Sequence, residues 1–371
     1  MRDEVPIHND LPADEVSADK VSAEEALLIA RGIASAVSFD GQLTGVQASL
    51  LAEVIEAVLD VRPDLDSFEP LDAAALAQAL AGRPEEFRRR VVHIMVLAEL
   101  ILRPIPPEVA RRVAAYADAL DANDQFVRIA RRYAQGAFGL AWIDLHRNGF
   151  AEHWEMARMD QLKTNVKLED QLALGVVDQQ LAEVWNSFQD LPPGTLGRVV
   201  WDMYRGRGFA LPGTVGGASA YLAQHDFVHV LADYGTNLTG ELETFSLIGR
   251  ADPDPKGFAW PATLIGLFDT GYVESAGFFN ADIKERRLDG SAMHVRVADA
   301  LRRGRSLCDR LRTDLLDFDF HQYTGLPIAE ARAAIGFAPK SERALEAGSP
   351  GTFDEAGMTQ FQLDYAASLN A

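Results

Sequence analysis

The sequence predicts an all-α protein. Apolar residues recur at three- and four-residue spacing in one segment after another, as one buried helix face requires. Capping residues and paired prolines open several of these segments. Residues 22–147 show no run of alternating strands, so this part reads as a helical bundle. With 371 residues, 48% of them hydrophobic, the chain is long enough for two domains and a sizeable core.

Residues 1–21 are polar, acidic and proline-containing, the composition of a disordered tail. Ser22-Ala-Glu-Glu25 reads as a capping box. The helix it opens carries Ala26, Leu27, Ile29, Ala30 and Ile33 and runs to about Val37. Phe39-Asp40-Gly41 is a turn, and further helical patterns cover about 45–59, 71–81, 84–102, 106–120 and 123–147. Pro106 and Pro107 suit a helix start after Arg103-Pro104-Ile105. Residues 148–184 connect this bundle to the rest, and Trp154 and Trp185 mark the stretch from 148 to about 195 for packing. Leu191-Pro192-Pro193-Gly194 is a break, followed by a short helix over Thr195–Tyr204 and a glycine-containing loop from Gly208 to Gly217. Residues 341–371 read as a polar C-terminal tail.

Composition narrows the function classes. A formal net charge of −20 argues against nucleic-acid binding, because phosphates would be repelled. The single cysteine, Cys308, excludes an internal disulfide and a cysteine zinc cluster, and fits a small buried side chain in a reducing compartment. The start of the chain is charged and shows no signal segment, and no stretch reaches the ~18 apolar residues of a membrane helix. The expected location is cytoplasmic, with peripheral attachment to the inner membrane compatible with a bacterial source. There is no glycine-rich phosphate loop and no nucleophile elbow.

The chemistry concentrates in His225-Asp226-Phe-Val-His229 and, after eleven intervening residues, Glu241. His225 and His229 are four apart and share a helix face, within a stripe marked by Tyr221, Leu222, Val228 and Ala232. Asp233-Tyr-Gly-Thr-Asn237 reads as a turn, with Asn237 capping a second helix whose stripe is Leu238, Leu242, Phe245 and Ile248. Glu241 falls inside that stripe and Glu243 outside it. Imidazoles and carboxylates facing a core are costly unless paired or metal-bound. His225, Asp226, His229 and Glu241 are therefore the candidate metal ligands, on two helices folded back on each other. Asp233 and Glu243 flank the site as candidate outer partners or proton acceptors, though their off-stripe positions favour solvated roles. His294 and His321 have no ligand spacing, and His93 and His146 read as core or surface residues.

Two family resemblances follow from these residues. Ala34-Ser-Ala-Val-Ser-Phe-Asp40-Gly41, Gln47, Leu50-Leu51 and His93-Ile-Met-Val-Leu-Ala-Glu-Leu before Pro106-Pro107-Glu108 resemble the TerB-like helical domain associated with tellurite resistance. That family carries a glutamate where Gln47 stands here. The second half, about residues 185–340, resembles the Coq4 family of ubiquinone biosynthesis. The likeness rests on His225-Asp226-Phe-Val-His229 with Glu241, on Leu191-Pro-Pro-Gly-Thr-Leu-Gly197-Arg198, on Thr236-Asn237 and Gly240-Glu241, and on Leu326-Pro327 through Gly336. It implies an all-helical fold and a divalent metal, described as zinc, held by His225, Asp226, His229 and Glu241. It also implies action on the head group of a polyprenylated hydroxybenzoate, either as the enzyme of oxidative decarboxylation and hydroxylation at ring carbon 1 or as a lipid-binding scaffold for the quinone-biosynthesis enzymes. The long N-terminal bundle and the polar C-terminal tail depart from ordinary members.

Both roles remain open on the residues alone. A metal can polarise a phenol or carboxylate, but four protein ligands can also close a structural zinc site. The ligand set does not choose among zinc, iron and manganese; with zinc, the electron-rich ring itself would have to reduce oxygen. A prenyl tail needs an apolar groove, and Trp260, Leu264, Phe268 and Phe278 are the candidates nearest the motif, in segments that equally suit core helices. Residues 281–312, with Arg302, Arg303 and Arg305, form a local basic zone suited to anionic head groups or to a solvated face. Candidate partners are the polyprenylated quinone precursor, other quinone-biosynthesis proteins, a membrane surface and a second copy of the chain.

Overall fold

The structure is a computed structural model that describes residues 20–102, 104–124, 126–128, 156–166, 177–258, 261 and 292–369. Among these residues there are helices and no strand; the pairings Phe39–Gln42 and Thr195–Pro327 are isolated bridges. The all-α expectation holds. No described helix is long and apolar enough to cross a membrane.

The N-terminal bundle is made of α1 (Ala23–Val37), α2 (Gly45–Leu59), α3 (Ala73–Ala79), α4 (Glu85–Leu100) and α5 (Pro107–Ala119). Its packing centres on α1, which contacts α3, α4 and α5. Ser22 accepts from the Glu25 amide at 3.1 Å, but the Glu25 carboxylate turns to Arg83 at 2.7 Å instead of completing the expected box. Asp40 and Gly41 both have positive φ, the backbone of a two-residue hairpin turn. The complete capping box lies one helix later, where the Gln47 amide donates to Thr44 Oγ1 at 3.2 Å and Gln47 Oε1 accepts from the Thr44 amide at 3.0 Å.

Gln47 does more than cap. It is fully buried, and its Nε2 donates to the carbonyls of Val37 and Ala98, each at 3.1 Å. A glutamate there could not donate to either carbonyl. The amide thus joins α1, α2 and α4, and gives a structural reason for the missing charge. His93 is a core residue, its Nε2 2.6 Å from Asp124 Oδ2. Burial alone would raise the Asp124 carboxyl, but the contact with His93 outweighs it and holds the group below its ordinary range.

After α5 come α6 (Met156–Gln161), α7 (Gln179–Ser187), α8 (Leu196–Arg207), α9 (Gln224–Ala232), α10 (Leu238–Ala251), α11 (Met293–Leu311), α12 (Ile328–Ile335), α13 (Glu342–Glu346) and α14 (Gln360–Leu369). Of the expected helix over 123–147, only residues 123, 124 and 126–128 are described, and much of the connector, Trp154 included, lies outside the described residues, as do residues 1–19. Trp185 is fully buried against Phe188, Tyr204 and Phe227, in keeping with its packing role.

The most extensive helix contact is α10 against α11. It needs Gly304, because a Cβ there would stand 2.3 Å from the Leu247 carbonyl oxygen. The outer face of α11 packs on α2, so one hydrophobic core runs from Ala26 to Phe337. Charge closes the rim: Arg305 pairs with Asp60 at 2.9 Å, Arg302 with Glu56 at 3.6 Å, and Arg343 and Arg62 both reach Glu53 at 2.7 Å. Arg303 is buried and donates to the Ala232 carbonyl at 2.9 Å and the Ala338 carbonyl at 2.8 Å. The basic zone expected to meet lipid head groups is thus engaged internally at Arg302, Arg303 and Arg305; its part over 281–291 lies outside the described residues. Cys308 is half-buried, not fully enclosed. The expected polar tail is also folded: residues 341–369 form two helices and a 3₁₀ turn that pack back on the chain.

Gln47→Glu should destabilise the protein by about 3 kcal/mol, because it removes both donations and buries a charge; a fall in the urea midpoint at unchanged slope would measure it. Glu53 supplies a pH test. Burial would raise its carboxyl, but Arg62 and Arg343 outweigh burial and hold it below its ordinary 4.5. A carboxylate lowered on folding stabilises above its unfolded value and loses that contribution as pH falls through the folded one. The wild type should therefore exceed Glu53→Gln in stability above pH 4.5, with the gap narrowing as acid is added, as followed by thermal melts across pH.

Candidate metal centre

The site is built on α9, the turn Asp233–Asn237 and α10. Helix α9 ends at Asp233 in the left-handed region (φ 61°), a conformation that aspartate tolerates. Asn237 then caps α10, its side chain accepting from the Gly240 amide at 3.0 Å, as expected. The two helices contact each other directly.

This fold-back brings His225, His229 and Glu241 together, with one ligand-type atom from each lying within 4.8 Å of the others. His229 Nε2 is 3.2 Å and His225 Nε2 3.7 Å from Glu241 Oε2. Donors at zinc distances of 2.0–2.1 Å on a tetrahedron stand roughly 3.3 Å apart, so the three atoms are spaced for a shared cation. His229 is fully buried, Glu241 nearly so, and His225 is the edge with some exposure. Apart from each other, at 3.2 Å, His229 Nε2 and Glu241 Oε2 are buried without a hydrogen-bond partner, the condition that a cation would relieve.

The remaining ring nitrogens are occupied. His225 Nδ1 faces the Leu222 carbonyl, which only accepts, so this nitrogen carries a proton and Nε2 is the ring atom turned to the centre. His229 Nδ1 lies 3.1 Å from Thr244 Oγ1. Phe245 stacks on the His225 ring, with centroids 5.1 Å apart. Thr244 and Phe245 lie three and four residues after Glu241, hence on its face of α10. Burial pulls the His229 imidazole down, but Glu241 and Asp226 outweigh it and hold the ring above its ordinary 6.5.

Asp226 is at the edge of this group. Its Oδ2 accepts from the Tyr204 hydroxyl at 2.5 Å, and its Oδ1 is 3.6 Å from His225 Nε2. Burial raises its carboxyl, and the attraction of the two imidazoles and the tyrosine does not cancel that rise. Three of the four expected ligands thus converge, while the fourth is shared with a phenol that burial, and then Asp226, raises well above its ordinary value.

The two flanking carboxylates are elsewhere. Glu243, expected on a solvated face, is fully buried and pairs with Arg296 of α11. The reason is that α11 covers the face of α10 opposite the site. Asp233 accepts from the Thr352 amide at 3.1 Å. Neither carboxylate joins the converging ligand atoms. Trp260, Leu264, Phe268 and Phe278, the candidate lipid-binding residues, lie outside the described residues. His321 sits among Trp185, Phe188 and Phe227, where burial lowers it to about 4. Sequence reasoning missed Tyr204, Thr244 and Phe245; for the last two, their spacing from Glu241 was a usable signal.

No protein-family model, no curated protein and no solved structure matches this chain.

In chelator competition with zinc, His229→Ala and Glu241→Ala should each weaken binding on the order of 100-fold or more. Thr244→Val, which removes the partner of His229 Nδ1, should weaken it about tenfold. Circular dichroism of the metal-free proteins should be unchanged.

Proposed function

We propose that the chain holds a divalent cation on His225, His229 and Glu241, and that it acts on the head group of a polyprenylated hydroxybenzoate at ring carbon 1, as the Coq4 resemblance implies. The observation that carries the first half is the convergence of three donors from two helices, two of them buried without any other partner. Two nitrogens and one oxygen suit zinc, with iron and manganese compatible with the same set. Such a cation supplies a Lewis acid for a substrate carboxylate or phenolate.

The residues around it support a catalytic over a closed structural centre. Three side chains converge where a closed site uses four. Asp226, the candidate fourth, has one oxygen committed to Tyr204. His225, at the accessible edge, is where a ring would approach, and Phe245 backs that imidazole with an apolar face. The buried Tyr204–Asp226 pair, beside His225, can hold a proton next to the reacting group.

Complementation of a Coq4-deficient strain tests this reading. The wild type should restore ubiquinone, and Glu241→Ala should accumulate the precursor that still carries its ring carboxylate, as followed by mass spectrometry. Metal-loaded wild-type protein that fails to complement would overturn the substrate assignment. Complementation by a metal-free Glu241→Ala protein would assign the chain a scaffolding role.

A further inference from the structure

The turn between the two ligand helices is closed at its ends by local hydrogen bonds, but its centre is held from outside. The amides of Thr236 and Asn237 both donate to the Gly357 carbonyl, at 2.7 and 2.9 Å. The Asn237 side chain donates to the Ala356 carbonyl at 2.9 Å. Thr236 Oγ1 and Gln362 Oε1 are 2.8 Å apart, and Gln362 Nε2 reaches back to the Thr236 carbonyl at 3.3 Å. Gly235 and Gly357 meet backbone to backbone, so closely that a Cβ on Gly235 would lie 2.5 Å from the Gly357 Cα.

Thr352 is the contact nearest the ligands. It is buried, and its hydroxyl donates to the carbonyl of His229 itself at 2.7 Å. Its amide donates to Asp233 Oδ1 at 3.1 Å, and its carbonyl accepts from Arg207. Arg207, on α8, also donates through Nε to Thr236 Oγ1 at 3.0 Å. Residues 349–362 therefore meet the end of α9, the turn and the start of α10 together.

We propose that this C-terminal segment is a positioning strap for the metal centre, with Thr352 as its principal positioning residue. The inference rests on the metal reading of the triad. Ligand atoms must lie within about 0.2 Å of their proper distances, and the α9–α10 separation decides whether Glu241 meets the imidazoles. The amides of Thr236 and Asn237 and the side chains of Asp233, Thr236 and Asn237 all bond to the strap, so the separation is set in part from a segment more than a hundred residues away in sequence. Coupling of this kind is reciprocal: if the strap favours the metal-competent turn, bound metal must favour the docked strap.

Two measurements on the full-length protein test it. Hydrogen exchange on the wild type, with and without cobalt(II), should show peptides over 349–362 slowing about tenfold on metal addition, together with those over 225–241. Slowing confined to 225–241 overturns the proposal, and this arm needs no variant to fold. Thr352→Val should lower cobalt(II) affinity about tenfold and alter the visible absorption of the bound ion, while Thr352→Ser restores both. A valine variant that melts lower yet binds cobalt with wild-type affinity and spectrum also overturns it, since Thr352 would then act on stability alone. Wild-type protein that binds no cobalt at all removes the metal reading itself, and the strap proposal falls with it, a failure distinct from the other two.

Discussion

Two imidazole nitrogens and one carboxylate oxygen share a single, largely buried point, and the organisation of the C-terminal half follows from that constraint. Each polar atom left unpaired in such a place costs about 1–3 kcal/mol. His229 Nε2 and Glu241 Oε2 are both in this condition. A cation, or a proton held between them, offsets that cost. The occupied Nδ1 atoms leave both Nε2 atoms directed at one place, which a generic buried histidine pair has no reason to do.

Holding the point in place takes more than the two helices that carry the ligands. Helix α10 is buried along its whole length. On one face it carries Glu241, Thr244 and Phe245; on the other it carries Glu243, neutralised by Arg296. The close approach at Gly304 presses α11 against it, and α11 is seated in turn on α2 of the N-terminal bundle. A chain of packed helices thus connects the bundle to the ligand helix, and the arginines of α11 close that contact instead of facing outward. The bundle buttresses the site from behind.

The balance between a catalytic and a structural centre depends on Asp226. Its neighbour Tyr204 draws one oxygen away from the triad, leaving a three-donor arrangement with a protonatable pair at its edge. A closed structural centre uses four protein donors, so this three-donor layout is what the proposed catalytic reading leans on.

Much was legible from the sequence because it depends on local spacing. Period-3.6 patterns located helices such as Gly45–Leu59 and Leu238–Ala251, and an i, i+4 histidine pair must share a helix face wherever the helix lies. Turn and cap chemistry at Asp233 and Asn237 is equally local, so the fold-back that carries Glu241 to the imidazoles could be inferred. Other features depended on contacts between residues far apart in the chain, where local pattern carries no information. Glu243 reads as a surface residue until α11 covers it, and Gln47 reads as a weakened glutamate until two distant carbonyls require its amide. Residues 341–369 read as a polar tail because their hydrogen-bonding groups are spent on the turn at 233–237 and on Arg207. The sequence by itself determined which residues are candidate cation ligands; tertiary structure alone decided which of them converge and what holds them at their separation, because that separation is set by packing between segments remote in sequence.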